Sequence, residues 1–411
     1  MSWSGVAIFV VTYALISARR LNWLGFDRPA GALAGAVAYV AFRLLSPEEA
    51  LAAIDGPTLV LLFGMMGMGA FLAVDGFFEW AEDALVRFAK TPERLLGYLV
   101  WGAGILSAFI TNDAVAVLGA PVVVRLVERQ RLPAVPFLLA LATAANTGSV
   151  ATLVGNPQNM LVANLGGLDF LDHLQLMGPV AILGLALNHL VLRISYRDAL
   201  REATLTIPEA PTPFSARAGL TLGVIAAISG LLVLGTDLAF TAVSGVVALM
   251  LVHRRDTREI WPRIDWSLLL FFAGLFVVVA GFRASGATDT FFERFPLASE
   301  AMGPGAWVRL STIFLVGSNL VSNVPFILVV EPEMARLADP ALGWELLAMA
   351  STFAGNLTLL GSVANVIVAE AGAKVGGFGF FEHLRVGLPV ALATTLLGTG
   401  YVLLAHSFGG W

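Results

Sequence analysis

The sequence contains no cysteine, which removes disulfides, thiolate metal sites and cysteine nucleophiles together. Its five histidines are scattered without metal-ligand spacing, and no Walker-type phosphate loop is present. Charge is scarce: 13% of the residues are charged, where soluble proteins carry about 25%. The strict apolar–polar alternation of an outer-membrane strand is also missing. No nucleophile–base or metal constellation supports an enzyme, so neither a cofactor nor a nucleic-acid partner is expected.

What the chain has instead is apolar length. Hydrophobic residues make up 58% of it, and charge-free stretches cover 57–74, 95–112, 134–168, 174–192, 218–236, 238–252 and 346–369. A helix needs about 20 such residues to cross a bilayer. Phe, Leu and Val dominate without alternation, so a polytopic helical membrane protein is expected. Ten spans fall near 4–18, 29–45, 57–74, 134–167, 175–192, 217–235, 238–252, 265–283, 341–373 and 385–405. Two hairpins fall near 95–127 and 306–338. The first run resembles a signal-peptide core but is followed by Arg19 and Arg20, and it reads as a retained span.

The second half repeats the first. Ile54 and Asp55 answer Ile264 and Asp265 at an offset of 210, and Thr111, Asn112 and Asp113 answer Ser322, Asn323 and Val324 at 211. The run Thr152 to Asn159 answers Thr358 to Asn365 at 206, and Asp172-His173 answers Glu382-His383 at 210. If Arg19 is cytoplasmic, 19 of the 24 basic residues share its side; Arg43, Arg283, Arg294, Arg309 and Arg336 do not. Each copy then crosses five times and the copies face opposite ways, an inverted-repeat design. The expected divisions are 1–195 and 216–411, joined by a polar cytoplasmic linker, 196–215, that carries Pro208, Pro211 and Pro213. Segments 76–90 and 286–295 read as amphipathic helices in the interface, or as ordinary loop helices.

Asp113 stands out because 95–124 is otherwise free of ionisable groups. An intramembrane acid is a functional candidate by default, here for proton coupling. Thr111, Asn112 and Asp113 also suit a helix cap, and a buried cap offers backbone N–H groups to a ligand. The second tip, Ser322 and Asn323, has the polar pair without the acid. Opposite the tips, two long apolar runs are interrupted. Asn146, Thr147, Asn156 and Asn159 break the first with help from Pro157; Thr352, Asn356, Thr358, Ser362 and Asn365 break the second without proline. Tips and breaks together (Thr111, Asn112, Asp113, Thr147, Asn156, Asn159, Ser322, Asn323, Thr352, Asn356, Thr358, Ser362 and Asn365) form the expected substrate and ion site, with Asp113 moving the proton. His173 and His383 read as interfacial anchors, Asp75 as an ordinary boundary residue, and Arg283 as a snorkelling span end.

These paired hairpins with Ser/Thr-Asn tips at 111–113 and 322–324, each followed by a broken helix, resemble the ion transporter superfamily. That superfamily includes ArsB arsenite pumps, NhaD-type sodium/proton antiporters and divalent anion/sodium symporters. The symporters carry Ser-Asn-Thr at both tips, so Thr-Asn-Asp and Ser-Asn-Val depart from them; Asn112-Asp113 and Gly76 to Trp80 look more like ArsB. The resemblance implies a homodimer and an elevator-like sliding of hairpins and broken helices past a scaffold. It also implies proton-coupled efflux of arsenite or antimonite across the inner (plasma) membrane; without a nucleotide-binding loop in the sequence, the expected driving force is an ion gradient or an external ATPase partner. A sodium-coupled carrier is the alternative, and a continuous channel is disfavoured because no span carries a polar stripe.

Overall fold

The computed structural model describes residues 2–17, 27–207, 212–297 and 303–408. Arg19, Arg20, Pro208 and Pro211 lie outside them. Every regular element among the described residues is helical. The chain opens with α1 (Trp3–Ser17), α2 (Arg28–Ala41) and the short α3 (Pro47–Ala52). It continues with α4 (Gly56–Val74), α5 (Phe77–Ala89) and the hairpin pair α6 (Pro92–Phe109) and α7 (Asn112–Gln130). The first interrupted run forms α8 (Ala134–Ser149) and α9 (Pro157–Gly166), followed by α10 (Phe170–Ser195) and α11 (Arg197–Glu202). The second half supplies α12 (Ala216–Val233), α13 (Leu238–His253), α14 (Trp266–Ala284), α15 (Ala287–Arg294) and the hairpin pair α16 (Pro304–Val321) and α17 (Asn323–Met334). Its interrupted run is α18 (Pro340–Leu357) and α19 (Val363–Gly372), and α20 (Phe380–Ser407) closes the fold. Helices α4, α10, α12, α14 and α20 are each long and apolar enough to cross a membrane.

The repeated Ile-Asp pairs have a local cause. Asp55 accepts a hydrogen bond from the Thr58 N–H at 2.9 Å, and Asp265 accepts one from the Leu268 N–H at 3.0 Å. Each aspartate thus caps the long apolar helix that follows it. The two helices also end alike: Gly76 at φ 81° and Gly286 at φ 72° take the left-handed turn into α5 and α15. Helix α5 lays acidic residues on the first hairpin, with Glu82 3.5 Å from Arg125 and Asp83 3.1 Å from Arg129.

Packing exchanges partners between the halves. Helix α2 lies along α14, and α4 along α13. Glycine permits both approaches. A methyl group built on Gly274 would lie 2.9 Å from the Ala32 backbone carbon, and one on Gly64 2.7 Å from that of Ala242. Of the three glycines 64, 67 and 69, Gly64 and Gly67 face α13 at close range, whereas Gly69 has only ordinary contacts. Around the centre, α6 and α16 pack on α8 and α18, α10 lies beside α20, and α19 packs on α7. The central helices α8 and α18 are buried along nearly their whole length.

Two boundary residues differ from their sequence reading. Asp75 is buried, because α12 and α13 cover the end of α4. Its carboxylate accepts from the Thr221 hydroxyl at 2.6 Å and lies 3.4 Å from His253 Nε2 and 3.7 Å from Arg255. Arg283 does not snorkel alone: it pairs with Glu331 of the second hairpin at 2.6 Å.

Candidate functional site

Each interrupted helix unwinds where its sequence turns polar. Between α8 and α9, Asn156 is extended (φ −159°, ψ 161°) and its side chain accepts from the Asn159 N–H at 2.8 Å, with Pro157 starting the new helix. Between α18 and α19, Ser362 is extended (φ −141°) and accepts from the Ala364 N–H at 3.2 Å. The hairpin tips sit on these breaks. The Asn112 N–H donates to the Gly155 carbonyl at 2.9 Å, and Asn323 Nδ2 donates to the Gly361 carbonyl at 3.3 Å. Thr111 caps α7 by accepting from the Ala114 N–H at 3.2 Å. The tips are unequal: Thr111 is extended at φ 173°, while Ser322 is held at φ 74°, ψ 149°. A non-glycine residue there stores about 1–3 kcal/mol, a kind of strain that gathers at functional sites.

One amide joins both halves. Asn146 Oδ1 accepts from Asn112 Nδ2 at 3.0 Å and from the Ser362 hydroxyl at 3.0 Å. Its Nδ2 donates to Asn356 Oδ1 at 3.1 Å and to Asn365 Oδ1 at 2.9 Å. A second knot lies beside it. Asn156 Nδ2 donates to Thr352 Oγ1 at 3.1 Å, and that hydroxyl donates to Asn159 Oδ1 at 2.9 Å. Asn356 Nδ2 reaches Thr147 Oγ1 at 2.9 Å, Asn365 Nδ2 reaches the Gly355 carbonyl at 2.7 Å, and the Thr358 hydroxyl reaches Asn319 Oδ1 at 3.2 Å. None of Asn146, Asn156, Asn159, Asn356 and Asn365 is more than 1% exposed. Amides so deeply buried must satisfy one another, and here they do.

In front of this network lies a cavity of about 40 Å³. Asn112 and Asp113 enter it from the start of α7, Pro157 and Gln158 from that of α9, Ser322 and Asn323 from that of α17, and Ser362 and Val363 from that of α19. Four helix N-termini therefore converge on one small space. Each contributes about half a positive charge. Arg28, at the first position of α2, lines the same cavity together with Phe271 and Phe272 of α14. Among the described residues Asp113 is the only carboxylate on its wall. Asn323 Oδ1 is buried without a hydrogen-bond partner, an acceptor left for an incoming O–H.

The residues expected from sequence thus fall into two groups. Asn112, Asp113, Ser322, Asn323 and Ser362 border the cavity, with Thr111 capping the tip beneath them. Thr147, Asn156, Asn159, Thr352, Asn356, Thr358 and Asn365 stand behind and hold the breaks in shape. Arg28 and Gln158 were not among the expected residues, and neither was the hub role of Asn146, although it stands next to Thr147 in the same polar interruption. Arg28 reads from sequence as one loop cation among many; only the packing of α2 on α14 turns it inward. His173 and His383 are not interfacial anchors. Both are fully buried, because α10 and α20 lie against the ends of the broken helices.

Residues 13–354 match the family described as citrate transporter, CitMHS. The chain belongs to that family, within the ion transporter superfamily. This CitMHS member is 32% identical to the silicon efflux transporter LSI3 of Oryza sativa subsp. japonica, over 96% of each chain. It is 26% identical to a Dictyostelium discoideum protein carrying the transporter name arsB, over 97% of this chain and 91% of that one. The crystal structure of the Alcanivorax borkumensis YdaH transporter shares the fold, with a TM-score of 0.58 at 15% identity over 91% of this chain and 89% of that one. The protein is thus an integral, multi-pass membrane transporter.

Proposed function

We propose that this CitMHS transporter exports a small hydroxylated oxyacid, arsenite or antimonite, by proton-coupled alternating access at the cavity between the two tips and the two breaks. The carrying observation is that cavity: four helix N-termini and Arg28 face one carboxylate. Positive helix ends and a guanidinium favour electron-rich oxygens and disfavour a bare cation. Size narrows the choice further. About 40 Å³ holds roughly three water-sized groups, at 10–15 Å³ each. Arsenous acid, with its three hydroxyls and no net charge at neutral pH, is of that order, whereas a tricarboxylate is several times larger. The names of relatives support the same chemistry, since a silicon efflux transporter and an arsB transporter both point to compact hydroxylated species. No thiolate is available to trap arsenic, which favours release.

In this reading Asp113 carries the proton, and the two halves, facing opposite ways, carry hairpins and breaks past α2, α4, α13 and α14. The test is antimonite uptake into inverted membrane vesicles energised by an imposed pH gradient. Wild type should accumulate antimonite, and Asp113→Asn should insert normally but lose the gradient-driven component. Undiminished uptake by Asp113→Asn removes the coupling role. Uptake driven by a sodium gradient instead would replace this reading with a sodium-coupled carrier.

A further inference from the structure

His173 and His383 occupy equivalent places in the two halves, and each offers Nε2 to a carbonyl at the end of a broken helix. His173 Nε2 lies 3.1 Å from the oxygen of Val150, the residue that closes α8. His383 Nε2 lies 2.9 Å from the oxygen of Asn356, next to the last residue of α18. A carbonyl oxygen only accepts, so both Nε2 atoms carry hydrogen. In this way each helix end gains a donor for a carbonyl that the interrupted backbone would leave unpaired.

The second ring nitrogens differ. His383 Nδ1 has no hydrogen-bond partner, as suits the lone pair of a neutral ring. His173 Nδ1 lies 2.7 Å from Glu345 Oε2 on α18. With Nε2 already protonated, a neutral ring would turn its lone pair toward a carboxylate, setting two acceptors face to face. A proton must therefore lie between them, and the pair is neutral as a unit, whichever partner formally owns it.

Glu345 also borders a separate pocket of about 300 Å³, lined by Asp169, Asp172, Asp339 and His406 among others. Asp339 pairs with His406 at 3.2 Å. These are the titratable groups that face the pair, and together they connect it to the protein surface without passing through the central cavity. Val150 in turn follows the segment that holds Asn146, so the anchoring of one end of α8 bears on the amide network.

We infer that His173 and Glu345 form a one-proton latch, set by the pH of the face onto which the acidic pocket opens, that clamps α10 to α18 and fixes the end of the first broken helix. With its proton the latch is closed. Without it, the one hydrogen left on the ring serves either Glu345 or the Val150 carbonyl but not both, and one arm of the clamp opens. This role is independent of the coupling role of Asp113 and of the substrate's identity.

The experiment is thermal unfolding of the purified full-length protein in detergent, followed from roughly pH 5 to 9, on both sides of physiological pH. In Glu345→Gln the carboxamide N–H donates to His173 Nδ1, so the hydrogen bond survives without a shared proton. The melting temperature of wild type should fall toward the alkaline end, and that of Glu345→Gln should fall much less. Glu345→Leu gives a second reading, because it leaves His173 in the state that His383 already adopts. It should fold and show the same flattened profile. Parallel profiles for wild type and both variants would overturn the latch. Vesicle uptake separates this outcome from failure of the transport reading: Glu345→Gln should keep gradient-driven antimonite uptake at neutral pH, whereas Asp113→Asn loses it.

Discussion

Asn146 offers the sharpest test of how the site is held. Its side chain makes four hydrogen bonds, two as acceptor and two as donor, to residues of both halves. Asn146→Ala removes them all. The oxygens of Asn356 and Asn365 then lose the donor they share, and Asn112 and Ser362 lose an acceptor. Each buried bond contributes about 1 kcal/mol net, and each orphaned partner costs about 1–3. The space vacated by the amide can admit water, which recovers part of the loss. A destabilisation of about 2–4 kcal/mol is therefore expected. Asn146→Asp keeps the shape but turns two donors into acceptors, 3.1 and 2.9 Å from oxygens that also only accept. It should destabilise at least as much as alanine. The control is Asn164→Ala, where one exposed bond to Asp55 is lost and the change should stay within about 0.5 kcal/mol. Thermal unfolding of the three variants in detergent supplies the ranking. If Asn146→Asp melts with wild type, the amide is not the junction described.

Two further outcomes can be checked. Arg28→Gln should raise the half-saturating antimonite concentration in vesicle uptake about tenfold, the equivalent of one contact of about 1.4 kcal/mol, and Arg28→Lys should recover part of it. An unchanged half-saturation would show that the guanidinium does not serve the cavity. At the α5 surface, burial pushes the Asp83 carboxyl up, but hydrogen bonds from Thr212 and pairing with Arg129 outweigh it and leave it below its ordinary value. Its contribution is therefore complete above the ordinary carboxylate range and is lost as pH falls through the lowered value. Asp83→Asn mimics that loss at neutral pH. It should speed tryptic cleavage at Arg201 or Arg217, and cleavage at the wild-type rate would count against it.

The sequence makes the helical, many-pass class legible because crossing helices leave long charge-free runs. It also locates the breaks, since Pro157 and the clustered asparagines can only mean interrupted helix at that depth. The hairpin tips follow from Thr111-Asn112-Asp113 standing alone in an apolar stretch. What local pattern does not carry is the pairing of residues far apart. Glu345 is 172 positions from His173, and Asn356 is 210 from Asn146. A lone acid or amide in a polar patch looks the same whether it meets water, a ligand or a partner from the other half. The roles of Arg28, Asp75 and the two histidines stay hidden in the sequence for that reason: they come from which helix covers each residue.

The exchange of partners between the halves has a price in time. Helix α2 ends at residue 41, while α14, whose backbone it touches, begins at residue 266. At about 5–20 residues per second, a ribosome needs roughly 11–45 s to span that interval. Throughout it, the backbone of Ala32 and Leu33, on which Gly274 of α14 packs, lacks its partner, and whatever guards the nascent protein must keep that face vacant until its late companion arrives.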